Sequence, residues 1–184
     1  ILYMNNKEII SIALATLAIF ILVSLIQFQS IYEISDIYYL IIGEAEDKGF
    51  PLTGPLGASI SALLKKWFLG HGSFMICSIL FMYSYLIFVR KDYKNKYYSL
   101  LAVYQLLFGL WLAIFFSWFN GLDGTSSGII DSSSGAIGYI LTQFLNDTIS
   151  GFIYILLPIT FIMLISRIFN FFLYYSLKKI NSTV

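Results

Sequence analysis

Gly54-Pro55-Leu56-Gly57, followed after twelve residues by Gly70, returns later in the chain as Gly135-Ala136-Ile137-Gly138, again followed after twelve residues by Gly151. In each copy an amphipathic run lies between the G-x-x-G and the third glycine, and a long apolar segment follows. A repeat of that size with an apolar segment attached includes a membrane span in its unit. The chain is therefore two versions of one plan, with Gly54, Gly57, Gly70, Gly135, Gly138 and Gly151 expected as its structural hinges.

Composition agrees with that class. Hydrophobic residues make up 59% of the chain and charged residues 11%, against about 25% charged in a soluble domain. With a net charge of +1, no overall basic surface points to nucleic acid, and charge must be read by location. The single cysteine, Cys77, lies in an apolar run, which excludes an internal disulfide and any Cys/His metal spacing. No catalytic, cofactor-binding or metal-binding residues are expected.

Four uncharged or nearly uncharged segments, 9–28, 73–89, 99–119 and 152–170, are long enough to cross a hydrocarbon core of about 30 Å. The first is read as an anchor rather than a cleavable signal, because its apolar run outlasts an h-region and no small-x-small site closes it. Between the spans, 56–69 and 137–149 have helical periodicity but reach only about 20 Å, too short to span. They are expected to lie along the interface, with Trp67, Phe68 and Phe144 as anchors in the apolar face and Lys65 and Lys66 snorkelling outward. The whole, 1–184, reads as a single all-α membrane domain: two parallel helix pairs, each with a glycine-bracketed amphipathic helix on the outer face.

Several features invite a chemical reading and do not sustain it. Glu33, Asp36, Glu44, Glu46 and Asp47 form an acidic connector without the spacing of a calcium loop. Gly124-Thr125-Ser126-Ser127-Gly128 lacks the lysine of a phosphate loop and reads as a flexible connector. His71, the only histidine, has no neighbouring ligand and reads as an interfacial polar residue. Arg167 is the one charge inside an apolar run, yet its stem reaches toward Asn170 and the interface.

Location of charge gives the topology. Lys7, Arg90, Lys91, Lys94, Lys96, Arg167, Lys178 and Lys179 fall on one side with only Glu8 and Asp92, and the 90–96 loop is the most basic stretch. The other side holds Lys48, Lys65 and Lys66 among the remaining acids. The positive-inside rule places both termini in the cytoplasm. The first and third spans then run the same way, so the halves are parallel repeats, unlike the inverted pair common in transporters.

Four spans, internal termini, a basic cytoplasmic hairpin and the glycine repeats at Gly54, Gly57, Gly70, Gly135, Gly138 and Gly151 resemble the N-terminal membrane domain of the FtsK/SpoIIIE DNA translocases, over nearly the whole chain. The resemblance implies a septal anchor in a bacterial inner membrane, linked to a hexameric ATP-driven motor that clears chromosomal DNA during division. The sequence contains no Walker A motif, long linker, motor or winged-helix domain, so the expectation for this chain is anchoring rather than enzymatic activity. ATP and Mg would belong to the motor, as would contact with DNA. The expected partners of the domain itself are the lipid bilayer, other division proteins and copies of itself. A small transporter or channel, or a structural subunit of a membrane complex, is the alternative; the spans offer a channel little beyond Ser, Thr and Gln105.

Overall fold

The computed structural model describes residues 6–27, 52–89, 96–122 and 133–181. The acidic connector up to residue 51, the basic residues Arg90, Lys91 and Lys94, and the Gly/Ser loop up to residue 132 lie outside the described residues, as do the side chains of Lys96, Lys178 and Lys179. Every element among the described residues is helical. Helix α1 runs Asn6–Ile26, α2 Gly54–Ala62, α3 Phe74–Phe88, α4 Lys96–Leu122, α5 Gly135–Ile149 and α6 Ile153–Asn181. Candidate spans lie at Asn6–Ile26, Gly70–Phe88, Tyr98–Gly121 and Ile153–Asn170, and the chain is a multi-pass membrane protein.

The ends of the elements depart from the sequence reading in instructive ways. The first interfacial segment is not one regular helix: α2 gives way to a π-helical turn, Leu63–Phe68, and then to a 3-10 turn, Gly70–Ser73, before α3 begins. The π turn closes with Leu69 N–H donating to Leu64 C=O at 3.1 Å, and the Ser73 hydroxyl donates to the same carbonyl at 2.7 Å. Helix α6 does not stop at the end of its span but continues to Asn181, because no glycine or proline follows residue 170 to end it.

Helix α1 lies most extensively along α3 and also touches α2, while α4 lies along α5 and α6. The core of the first unit is Ile21, Leu25 and Cys77, with Leu22, Ile60, Leu64, Phe74 and Leu80 packed around it. The halves are joined where α4 crosses α3 and the 3-10 turn, and where α5 lies against the π turn.

Helix contact is close where side chains are absent. Gly72 and Gly109 face one another backbone to backbone: a Cβ on Gly109 would stand 2.7 Å from the Gly72 carbonyl oxygen. Lipid supplies no hydrophobic drive between helices, so such close approach and the dispersion it allows are what hold spans together. An aromatic row runs down α4, with Phe108 stacked on Trp111 and Trp111 on Phe115, at centroid distances of 6.1 and 5.2 Å. Beside Pro158, the Trp111 indole N–H is shared between Leu157 C=O and the Thr160 hydroxyl, each at 3.1 Å, which clips the third span to the fourth.

Candidate functional site

The two short helices are oriented by their small residues. On α2 and the π turn the protein-facing positions are Gly57, Ala58, Ser61, Ala62 and Lys65; on α5 they are Gly135, Ala136, Gly138 and Thr142. Small side chains permit the approach: a Cβ on Gly57 would be 2.7 Å from the Ser24 hydroxyl of α1, and one on Gly138 would be 2.6 Å from the Ala113 carbonyl of α4. Thus Gly57 and Gly138 do not turn the chain. They let each short helix lie flat on the span before it. The large apolar residues are turned away from the protein, with Leu56, Leu63, Trp67, Phe68, Ile140 and Phe144 all exposed.

Lys65 corrects the sequence reading. It does not snorkel outward but is only 9% exposed, because it falls on the same face as Gly57 and Ser61, and its Nζ lies 5.7 Å from the Phe74 ring centroid. Burial pulls its ammonium below the usual lysine value. Lys66, next to it, is partly exposed.

Chain reversal is the task of Gly54, Gly70 and Gly135, which have φ of +65°, +57° and +67°, a conformation open to glycine without strain. Gly70 and Gly135 meet each other. A Cβ on Gly135 would stand 2.7 Å from the Gly70 nitrogen, and one on Gly70 would stand 2.6 Å from the Ser134 carbonyl carbon. The third glycine of the first repeat is thereby seated on the first glycine of the second. His71 completes the junction: its backbone N–H donates to Ser133 C=O at 2.8 Å and its Nδ1 approaches the same oxygen at 3.1 Å. A carbonyl can only accept, so this second bond places the ring proton on Nδ1. The ring lies 5.0 Å from that of Phe116.

Both connectors are tied at their ends. Leu52 N–H donates to the Gln27 side-chain oxygen at 2.9 Å, joining the end of α1 to the turn before α2. The Asn120 amide donates to the Ser133 hydroxyl at 2.7 Å, joining the end of α4 to the turn before α5. Sequence reasoning missed Ser133 and Asn120, which looked like loop residues; the available signal was a span-terminal amide paired with the residue two positions before each G-x-x-G.

Gly151 and Arg167 remain outside this assembly. Gly151 sits in a 3-10 turn with nothing within 4 Å of its Cβ direction, and Arg167 is exposed on α6. Among the described residues no group of three His, Cys, Asp or Glu side chains is gathered in metal-binding geometry. Two polar side chains within the bundle clip helices together: Gln105 Nε2 donates to Ser78 at 3.1 Å, and Thr142 to Ile114 C=O at 3.2 Å. The arrangement positions spans and leaves each short helix with an exposed apolar face.

A model of the protein family described as the 4TM region of DNA translocase FtsK/SpoIIIE matches residues 5–180. No curated protein and no solved structure matches the chain.

Proposed function

The chain belongs to the family of the 4TM region of the FtsK/SpoIIIE DNA translocases, and from that membership we propose that it is a membrane anchor domain. It tethers a cytoplasmic, ATP-driven DNA motor to the septal membrane in cell division and chromosome segregation. The observation that carries this reading is the family match over 5–180, which takes in all four candidate spans. The domain itself contributes seating and contacts: lipid through the exposed faces of α2, the π turn and α5, and division proteins and copies of itself through the rest of its surface. ATP, Mg and DNA are handled by the motor. The domain sits in the bacterial inner membrane with both termini cytoplasmic, an orientation that the gathering of bases on one side of the spans supports.

Two measurements test it. A fluorescent fusion of the domain should gather at the division site, and even distribution around the cell would remove the septal role. Reporter fusions at Lys94 and Val184 should read cytoplasmic, while fusions within 30–53 and 120–134 should read external; the reverse pattern would overturn the topology.

A further inference from the structure

We propose that the two short helices make the domain a wedge: lodged together among the acyl chains of the leaflet opposite the termini, they widen that leaflet alone, and the chain therefore favours membrane that is convex on that side. The proposal deepens the reading that the exposed faces of α2, the π turn and α5 contact lipid, and it rests on that reading.

Helix α4 serves as a ruler of depth, because its candidate span runs Tyr98–Gly121. Gly138 of α5 lies against Ala113, and the Thr142 hydroxyl donates to Ile114 C=O. At 1.5 Å per residue, Ala113 stands about 12 Å from Gly121 and about 23 Å from Tyr98. The crossing therefore falls inside the span, in the half away from the termini. Four residues of progress along α5, from Gly138 to Thr142, match one residue along α4, so α5 runs across the span and not alongside it. The π turn keeps the same company: Gly135 packs on the Phe68 carbonyl, and Leu64 packs on Ile21, Leu25 and Cys77, within the first two spans. Small residues take the protein side and leave the large ones outward, with Leu63 60% and Phe144 63% exposed. Chain continuity names what covers them, since the turns Gly70–Ser73 and Ser150–Phe152 lead straight into spans. An outward apolar face at that depth meets acyl chains.

Magnitude then decides whether the leaflet notices. Each short helix, about 22 Å long and about 10 Å wide, covers about 220 Å² when it lies flat, and the pair covers about 440 Å². Four upright spans of the same width cover about 300 Å² together. Among the described residues only the spans themselves enter the leaflet on the side of the termini. The footprint in one leaflet is thus more than twice that in the other, by the same helix dimensions. A bilayer relaxes around such a shape by bending, and membrane already bent that way has less to pay, which is why amphipathic helices sort by curvature.

The test reconstitutes the chain into giant vesicles of phosphatidylethanolamine and phosphatidylglycerol, from which narrow tubes are drawn. A fluorophore on Val184→Cys in a Cys77→Ala background, with a membrane-impermeant quencher outside, tells the two orientations apart. Molecules with the C-terminus inside carry the short helices on the convex face of the tube and should be enriched there about twofold or more over the flat wall, while the reverse orientation should be depleted. Leu56→Ala, Leu63→Ala and Phe144→Ala together trim the outward faces and should weaken the enrichment. Ile162→Ala with Met163→Ala trims exposed side chains near the middle of the fourth span and should leave it unchanged. Equal density in tube and wall, sorting of the same sign in both orientations, or sorting indifferent to the triple substitution overturns the proposal. Seating on lipid is read separately in the same vesicles, where lipid brominated along its acyl chains should quench a component of tryptophan emission that Trp67→Phe lacks. Quenching without sorting removes the wedge alone, and absence of that quenching removes both.

Discussion

Ser11 and Ser84 each donate a hydroxyl hydrogen bond to the other's backbone carbonyl at 2.8 Å. Both are buried, one near the start of α1 and the other near the end of α3, so the pair pins those helix ends together. Ser11→Ala and Ser84→Ala should each cost about 0.5–1.5 kcal/mol. The two hydroxyls also lie 3.3 Å apart, so each removal takes that shared contact from the other serine and the double variant should lose less than the sum of the two. Unfolding in mixed micelles measures this, and strict additivity would contradict the hydroxyl–hydroxyl contact.

Glycine substitution should divide cleanly by neighbour. Gly109→Ala presses a methyl against Gly72 backbone and Met75, and overpacking of this kind costs about 1–3 kcal/mol. Gly121→Ala meets nothing within 4 Å on the same helix and should be neutral or stabilising by up to about 1 kcal/mol. Thermal unfolding of both variants in one detergent gives the comparison, and equal effects would refute the close crossing.

Lys65 gives a pH dependence of definite sign. Its ordinary value is 10.5, and burial lowers it in the folded protein. Below the folded value, burial of the charged ammonium destabilises the fold; that cost is relieved as pH rises through the folded pKa toward 10.5. Stability should thus increase with pH over that interval relative to Lys65→Met. The difference between the two unfolding curves isolates Lys65 from the tyrosines, and a difference independent of pH would show that Lys65 is not desolvated.

Trp111→Phe keeps the stacked row on α4 but loses both bonds to α6, and should cost about 1–2 kcal/mol. Faster amide exchange near Pro158 would report the loosened clip, and unchanged exchange would contradict it.

Seating on lipid is tested by charge. Trp67→Glu and Phe144→Glu place a carboxylate on an outward apolar face and should cost up to about 3 kcal/mol each, seen as reduced membrane insertion or protease protection. Wild-type insertion of both would show that these faces do not lie in lipid.

The four spans were legible because twenty apolar residues in succession have few other destinations. The small-residue face by which the short helices meet the protein was not. Periodicity in 56–69 and 137–149 picks out Leu56, Leu63, Trp67 and Phe144, which in a soluble protein would mark the core; here the large residues face away from the protein, and Gly57, Ala58, Ser61 and Gly138 mark the protein side. Lys65 was misread for the same reason, since a lysine on a short amphipathic helix is expected in water and here shares the small-residue face. The Gly70–Gly135 junction joins residues far apart in sequence, and repeat spacing shows that two copies exist without showing how they touch.

The length of α6 has a mechanical consequence. One helix runs from Ile153 to Asn181, interrupted in its hydrogen bonding at Pro158, and continues for about 16 Å past Asn170. A helix is stiff in torsion, so the azimuth that Trp111 sets at Thr160, past Pro158, is carried along the helix toward Asn181. Rotation of the fourth span within the bundle would therefore swing whatever follows residue 181 through the same angle, which makes the last helix an axle as well as a stake.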